Sequence, residues 1–345
     1  MLLKKALPLL ALCFFALFVA ECGAQGQSNG YSTVVLLRSF GARAAGLSGA
    51  YTSAVNEPNA VFINPAALSG LTENTAVSTT HSMLGLSRSM TLLSATQSLS
   101  SRLGFGVGLA MFNGGEFTRT DAAGNSLGTS TYTTYAAQAG VGVAIASASL
   151  GATAKYVQSS VSGEGNRGTG FAFDVGARIP FGKSFVCGVT ARNIGSLSWN
   201  NSTLSRDALP WSIRAGISTE VGTSEEQFVV RSSSLGSTDT ILSPSPTYVL
   251  LSLEASVNRG ATFPTITFGT EYAMTEVFAV RGGLALIGEE AGTAVIAPMR
   301  SLAGGVSYKF LADELPFNLS LDYGVTSSIT ASTGITHHVS LTAAF

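Results

Sequence analysis

Two short glycine patterns are the parts of the sequence that most resemble sites of chemistry. Gly124-Asn125-Ser126-Leu127-Gly128 matches the G-x-S-x-G pattern of serine hydrolases, whose serine sits on a strand-to-helix turn. The stretch from Gly163 to Gly168 matches the G-x-G-x-x-G pattern of dinucleotide-binding loops, which needs a surrounding βαβ unit. Neither context is present in the sequence around them. We therefore interpret the first stretch as an external loop and the second as a hairpin loop.

The three histidines do not form a metal-binding pattern. His337 and His338 are adjacent, and adjacent residues of a strand point to opposite faces, while His81 is far away in sequence. Only His81, near a predicted strand end, could serve an exposed serine. We therefore expect no enzyme activity, no metal and no cofactor. A membrane-embedded hydrolase is kept as a remote alternative.

Charged residues are scarce. The 345 residues include 19 Lys and Arg and 20 Asp and Glu, which is 11% of the chain where roughly 25% is usual. This composition argues against an ordinary cytosolic enzyme. A net charge of −1 offers no basic field, so nucleic acid is excluded as a partner.

The first 24 residues predict an export signal. Lys4 and Lys5 precede an apolar run over 6–20, and small residues follow at 23–24. That run is shorter than the roughly 20 residues that a membrane-spanning helix needs, and no later stretch is longer. We expect a cleaved signal peptide over 1–24 and a destination in a bacterial outer membrane.

The rest of the chain alternates bulky apolar residues with small or polar ones. In 103–111, for example, Leu, Phe, Val, Leu and Met alternate with Gly, Gly, Gly and Ala. A period of two indicates strands between two different environments. Short and long connections also alternate, except at 222–246, where an additional strand around 227–231 is left open. The sequence predicts an all-β, transmembrane antiparallel β-barrel over 73–345 with about 14 strands, near 75–82, 87–98, 103–112, 131–146, 149–158, 168–180, 184–193, 211–221, 247–258, 263–273, 277–286, 300–310, 317–324 and 337–345.

Ten charged residues fall on the small or polar face of these predicted strands and none falls on the bulky face. Their mixed signs favour pairing with one another inside a barrel lumen. A role in passing a ligand is the alternative. The ten are Lys155, Asp174, Arg178, Arg192, Arg214, Glu254, Glu271, Arg281, Lys309 and Asp322.

Residues 25–72 do not alternate. Glycines and alanines between 41 and 50 suit close packing of short helical turns, and Asn64 could cap a helix that has Pro65 at its first position. A segment of this length before the first strand is long enough to occlude a lumen. We expect a small N-terminal helical hatch, or plug, inside the barrel.

The run GARAAGLSGAYTSAVNEPNAVFINPAALSGL, residues 41–71, resembles the N-terminal signature of the PorV/PorQ family within the FadL-like (OMPP1) superfamily of outer-membrane proteins. Segments at 170–179, 189–195, 209–218, 268–284 and 336–345 match in order, while Ser48 and the stretch 56–58 depart from the usual pattern. The resemblance implies a 14-stranded barrel whose hatch motif is Asn64, Pro65 and Ala66.

Two functions follow from this resemblance. The first is protein secretion of the type IX kind, with cargo proteins or secretion-system components as partners, and Trp199 in the predicted loop 194–210 as a candidate contact. The alternative is a FadL-like channel for hydrophobic small molecules, which would contact a hydrophobic ligand through hatch residues Leu47, Tyr51, Phe62 and Ile63. In both cases we expect contact with outer-membrane lipid, and Phe345 as the terminal aromatic signal for the barrel assembly machinery.

Overall fold

The computed structural model describes residues 33–71, 75–163, 165–182, 184–200, 207–222, 227–232, 238–243, 247–261, 263–286, 299–310, 317–328 and 334–345. The predicted signal peptide, 1–24, lies outside these residues, as does the start of the predicted hatch.

Seventeen strands are present in the described part of the chain, and fourteen of them close into an antiparallel barrel. Strand β1 pairs with both β2 and β17, and β6 pairs with β7, which completes the ring. The short β8 lies beside β7, and β10 pairs only with β11. The strands are β1 Thr75–Met83, β2 Ser89–Ser100, β3 Leu103–Thr120, β4 Ser126–Ile145, β5 Ala148–Val161, β6 Asn166–Phe181, β7 Phe185–Trp199, β8 Asp207–Ala208, β9 Ser212–Gly222, β10 Gln227–Ser232, β11 Thr238–Ser243, β12 Tyr248–Asn258, β13 Thr265–Ala273, β14 Phe278–Leu286, β15 Met299–Phe310, β16 Asn318–Ser328 and β17 Ile335–Ala344.

The predicted fold class is confirmed, with corrections to two connections and an answer to the point left open near 227. The expected loop 113–130 is mostly strand, because β3 continues to Thr120 and β4 begins at Ser126. The strand left open near 227 is one half of the separate hairpin β10–β11. Trp199 ends β7 rather than lying in a loop, and it packs against the buried core. Residues 113–130 are mostly polar, so no apolar alternation reveals the strands there.

The outer face of the barrel is apolar and the inner face is polar or small. On β6, Phe171, Phe173 and Val175 are 67%, 56% and 48% exposed, whereas the intervening Ala172 and Asp174 are buried. Bulky apolar side chains exposed around a closed sheet suit contact with lipid, and closure leaves no unpaired strand edge within that wall.

The two ends of the barrel differ. The short turns 101–102, 146–147 and 274–277 lie at the same end as Thr75 and Phe345, whose backbones hydrogen-bond to each other at 2.8 Å. We call this the turn end. The opposite end, which carries the connections 84–88 and 121–125, is the loop end.

Residues 33–71, here called the hatch, fill the lumen. They form the 3-10 helix Val34–Leu37, helix α1 Ala42–Gly46, helix α2 Ala60–Ile63 and the 3-10 helix Pro65–Gly70. Helix α1 contacts β15–β17, and the last 3-10 helix contacts β3–β6 across the barrel. None of the helices among the described residues is long and apolar enough to cross a bilayer.

Candidate functional site

Strands β3–β7 meet the hatch with glycine. A Cβ atom on Gly104 would lie 1.8 Å from the carbonyl oxygen of Leu68, and one on Gly151 would lie 2.2 Å from the carbonyl carbon of Pro65. Since no side chain fits there, the hatch backbone rests directly on the wall. We call this surface the glycine wall; its members are Gly104, Gly106, Gly108, Gly142, Gly151, Gly176 and Gly188.

Asn64 and Pro65 lie where the hatch rests on this wall. The Asn64 Oδ1 accepts the Ala66 N–H at 3.2 Å, which caps the Pro65–Gly70 helix. Its Nδ2 donates to the Thr52 carbonyl at 3.0 Å and to the Ala177 carbonyl of β6 at 3.3 Å. One amide therefore joins two hatch segments to the barrel, beside Pro65 at the first helical position.

On the other side of the lumen, a carboxylate of β13 gathers several donors. Glu271 accepts from Arg43 of the hatch at 2.7 and 2.9 Å, from the Tyr248 hydroxyl at 2.7 Å, and from Arg281 of β14. Arg281 also pairs with Asp322 of β16 at 2.7 Å. The result is a buried network in which two arginines are matched by two carboxylates. We call Arg43, Tyr248, Glu271, Arg281 and Asp322 the turn-end cluster.

Glu254 of β12 holds the middle of the hatch. It accepts the backbone N–H groups of Tyr51 at 3.1 Å and Thr52 at 2.9 Å, and it pairs with Arg214 of β9 at 3.1 Å. Charge-assisted bonds to backbone amides are stronger than neutral ones. Glu254 thereby fixes the chain just after α1.

A third group of charges lies between β5, β6 and β7. Lys155 pairs with Asp174 at 3.0 Å and donates to the Asn193 side chain at 2.7 Å, and Asp174 accepts the Asn193 backbone N–H at 2.7 Å. Asn193 and Arg192 both donate to the Leu36 carbonyl, at 3.2 and 2.9 Å. These contacts tie the first hatch helix to the wall at a break in the β6–β7 pairing.

The lumen between this group and the loop end is apolar and filled. Phe40 stacks on Phe62 with 5.2 Å between ring centres and lies under the Arg192 guanidinium at 5.0 Å. A void of only about 10 Å³ remains beside Phe40, room for about one water molecule. We call this region the apolar chamber; it is lined by Val35, Leu36, Phe40, Met90, Ala110, Phe112, Thr134 and Ala136.

The four predicted ligand contacts are all buried, between 0% and 3% exposed. Leu47 packs on Gly269 and Gly283 of the wall, Phe62 packs on Gly108 and Phe40, and the Tyr51 hydroxyl donates to Asn56. Together with Ile63, they line neither the void nor the larger cavity described next. In this structure they hold the hatch to the barrel, and their contact with a ligand stays a prediction.

A cavity of about 410 Å³ lies between the hatch and β13–β17 at the turn end. Its lining mixes apolar residues with charged ones, in contrast to the apolar chamber, and the charged residues are Arg43, Glu57, Glu271, Glu276, Arg281, Lys309 and Asp322. The charged part of this lining suits water and small polar solutes.

The ten predicted lumen charges thus occupy three settings. Arg178 and Arg192 donate to the hatch carbonyls of Ser53 and Leu36. Lys309 is exposed and lines the turn-end cavity. The other seven form ion pairs: Lys155, Asp174, Arg214, Glu254, Glu271, Arg281 and Asp322.

Three members of these networks were missed by sequence reasoning: Arg43, Asn193 and Tyr248. Arg43 lies in the hatch, where alternation gives no signal, and Asn193 and Tyr248 are uncharged. A search for polar residues on the inner face, regardless of charge, would have included Tyr248. Asn193 follows the inward-facing Arg192, so alternation assigns it to the outer face, and it turns inward only at the break in the β6–β7 pairing.

The serine and the three histidines considered for chemistry each have separate hydrogen-bond partners. Ser126 begins β4 and accepts the Gly128 N–H at 3.3 Å, within a hairpin rather than a strand-to-helix turn. His81 bonds Thr91, His337 bonds Tyr323, and His338 bonds the buried Ser82 at 2.8 Å, its other ring nitrogen facing the Thr336 hydroxyl rather than a carboxylate. Within the described ranges, no group of three or more His, Cys, Asp or Glu could hold a metal ion.

No protein-family model matches the chain, and no curated protein matches it. Several solved structures share its fold. A Pseudomonas aeruginosa FadL homologue is 11% identical and aligns over 89% of this chain and 98% of its own, with a TM-score of 0.59. The CymD monoaromatic hydrocarbon channel is 14% identical over 92% and 99%, with a TM-score of 0.57. The P. putida toluene transporter TodX is 13% identical over 89% and 97%, with a TM-score of 0.56. At these identities the likeness is one of fold: this chain is built like the FadL homologue and the hydrocarbon channels.

Proposed function

We propose that the protein is a FadL-like outer-membrane channel for small hydrophobic molecules. The fold that it shares with hydrocarbon and toluene channels supports this proposal. Protein secretion, the first expectation from the sequence, finds no support in the comparisons. The turn end would face the periplasm, since short turns lie on that side of outer-membrane barrels. Phe345, exposed at the end of β17, would then serve as the assembly signal.

The main support for the proposal is the apolar chamber, an apolar part of the lumen that hatch side chains occupy. Its wall residues Met90, Ala110, Phe112 and Ala136 are buried or half-buried, and the space between them is occupied by Leu36 and Phe40 of the hatch. The Val34–Leu37 helix that closes it is a single short turn without a side-chain cap. Short helices are marginal on their own, so its position depends on packing and on the hydrogen bonds that Arg192 and Asn193 donate to the Leu36 carbonyl. A hydrophobic molecule would replace Leu36 and Phe40 against the same wall.

The test is a pair of tryptophan substitutions on β4. Ala136 faces the chamber and is 2% exposed, whereas its neighbour Ala137 is exposed on the outer face. We expect Ala136→Trp to block the chamber and to lower protein-dependent uptake of radiolabelled toluene and palmitate by at least about tenfold, which corresponds to a transport barrier raised by about 1.4 kcal/mol. Ala137→Trp should leave uptake unchanged.

Uptake no higher than in cells without the protein would refute the channel, provided that the barrel is folded. Two further measurements examine the alternatives. Exported proteins that share a C-terminal domain and co-purify with the tagged barrel would support secretion instead. Labelling of Ser126 by a fluorophosphonate probe would support the hydrolase.

A further inference from the structure

Phe40 of the hatch packs against one aromatic ring and one cation. Its ring centre lies 5.2 Å from that of Phe62, and the two ring planes are only 20° apart, so the rings stack. The guanidinium carbon of Arg192, on β7, lies 5.0 Å from the centre of the Phe40 ring. We call the space that the Phe40 ring fills against these two groups the ring site.

The two groups that border the ring site are held by the barrel. The Phe62 ring packs on β3 at Gly108, where an added Cβ atom would lie 2.5 Å from Phe62 Cζ. The carbonyl of the preceding residue, Val61, accepts a hydrogen bond from the Gln138 side chain of β4 at 2.6 Å. Arg192 is itself a buried residue of the wall. Both groups therefore stay in place when the occupant of the ring site changes.

Arg192 is a buried cation that is stabilised in part by the ring beside it. Its Nη2 donates to the Leu36 carbonyl at 2.9 Å, but its Nε has no hydrogen-bond partner among the described residues. Within the same residues, none of the ion pairs includes Arg192. A desolvated guanidinium group is attracted to the negative face of an aromatic ring, and a saturated ring has no such face. An aromatic occupant of the ring site keeps this attraction, whereas a saturated occupant loses it.

The neighbouring part of the apolar chamber also suits a ring. Met90 and Phe112 line the void beside Phe40, and thioether and aromatic groups both make favourable contacts with aromatic rings. That void measures only about 10 Å³, so a hydrocarbon reaches the ring site only by exchanging with Phe40.

We propose that the ring site binds a small, uncharged aromatic molecule, and that Arg192 is the residue that makes the channel prefer aromatic hydrocarbons to saturated ones. Phe40 fills the site until the ring of the incoming molecule replaces it against Phe62 and Arg192. This inference rests on the proposed channel function, and it adds the class of molecule that the chamber selects.

Competition for uptake tests the role of Arg192. Cells take up radiolabelled toluene through the full-length protein in the presence of unlabelled ethylbenzene or ethylcyclohexane, which differ only in the saturation of the ring. We compare their half-inhibitory concentrations as the ratio of ethylcyclohexane to ethylbenzene. This ratio should be about three- to tenfold higher for the wild type than for Arg192→Gln, which keeps an N–H donor for the Leu36 carbonyl. Comparing one ratio between two proteins cancels the unequal partitioning of the two molecules into the membrane.

Arg178→Gln is the matched control. Arg178 also donates to a hatch carbonyl, that of Ser53 at 3.0 Å, but the cation–ring contacts of the described residues involve only Arg43 and Arg192. The control should therefore show the wild-type ratio.

The possible outcomes separate the ring site from the channel. An equal ratio for the wild type and Arg192→Gln would overturn the ring site, although the channel would stand. Toluene uptake no higher than in cells without the protein would instead refute the proposed function. Octanoate serves as a third competitor, because a carboxylate also pairs with a guanidinium group. If Arg192→Gln weakened competition by octanoate more than competition by ethylbenzene, Arg192 would recognise carboxylates and the proposal would be wrong.

A second measurement needs neither a variant nor transport. In wild-type protein labelled with ¹⁵N-arginine, in deuterated detergent, the Arg192 Nε–H proton should show a nuclear Overhauser contact with the Phe40 ring. Addition of ethylbenzene should replace this contact with one to the ethylbenzene ring protons. Absence of the second contact at a saturating concentration of ethylbenzene would overturn the proposal.

Discussion

The barrel holds its hatch in two different ways on its two sides. On β3–β7 the glycine wall packs directly against the hatch, and this close fit depends on the absence of Cβ atoms, while Arg178 and Arg192 add hydrogen bonds to hatch carbonyls. On β9 and β12–β16, a surface that we call the ion-paired wall, Arg214, Glu254, Glu271, Arg281 and Asp322 meet it with matched charges. Close packing allows the hatch only one position, whereas an ion-pair network is stable only when every charged partner is present. The two walls should therefore fail differently when they are altered.

Removing the central charge of the ion-paired wall should have the largest effect. Glu271→Gln leaves Arg43 and Arg281 buried with one carboxylate between them, and breaking a buried ion pair costs about 3–5 kcal/mol. Urea unfolding of the refolded protein in micelles would measure the loss. Glu276→Gln, at the exposed turn, is the control and should cost almost nothing. Equal stability of the two variants would mean that the network does not hold the hatch.

Adding one carbon to the glycine wall should cost somewhat less. Gly104→Ala places a Cβ atom against the backbone of Leu68, and overpacking of this kind typically costs about 1–3 kcal/mol. Gly70→Ala is the matched control, because no atom lies within 4 Å of its added carbon. Limited proteolysis of the hatch, together with the same unfolding measurement, would follow the change. If Gly104→Ala and Gly70→Ala both resisted protease like the wild type, close packing against the glycine wall would not be what holds the hatch in place.

The smallest loss of stability is expected at Asn64, which caps a hatch helix and also bonds the hatch to the barrel wall. Asn64→Ala removes the cap of the Pro65–Gly70 helix and two donated hydrogen bonds, at a cost of about 1–2 kcal/mol. Asn64→Ser keeps an acceptor for the Ala66 N–H and should recover the capping part, about 1 kcal/mol. Thermal unfolding of the three proteins would separate the cap from the bonds to Thr52 and Ala177. If Asn64→Ala and Asn64→Ser lost the same stability, the cap would contribute nothing measurable.

The barrel wall was predictable because lipid and lumen impose opposite demands on successive residues. Phe171 and Asp174 could be assigned to opposite faces from sequence alone, and every predicted barrel strand is present. The prediction was wrong where that contrast disappears. Between 113 and 130 both faces are polar, so the strands leave no apolar alternation although they continue.

The interior was less predictable, because contacts there join residues far apart in sequence. Sequence reasoning selected Glu271 and Arg281 but could not supply Arg43, which is 228 residues from Glu271. Leu47 and Phe62, predicted as ligand contacts, are packed between the hatch and the wall in this structure, and their contact with a ligand stays a prediction. Residue type indicates what a position tolerates, and only the folded chain decides which neighbour fills it.

Strands β3 and β4 are unusually long, so the loop end of the barrel extends further at these strands than at β12 and β13. Twenty strand residues span about 65 Å, or about 50 Å along the axis of a tilted strand, against a hydrocarbon thickness of about 30 Å. Pairing with β2 ends at Asn113 and pairing with β5 begins at Tyr132, so the ribbon between them rises without neighbours. Across the barrel, β12 and β13 are joined by only the short connection 259–264. The ribbon therefore screens one side of the loop end, and a macromolecule that approached the loop end from that side would touch the tip near Asp121 before it reached the lumen.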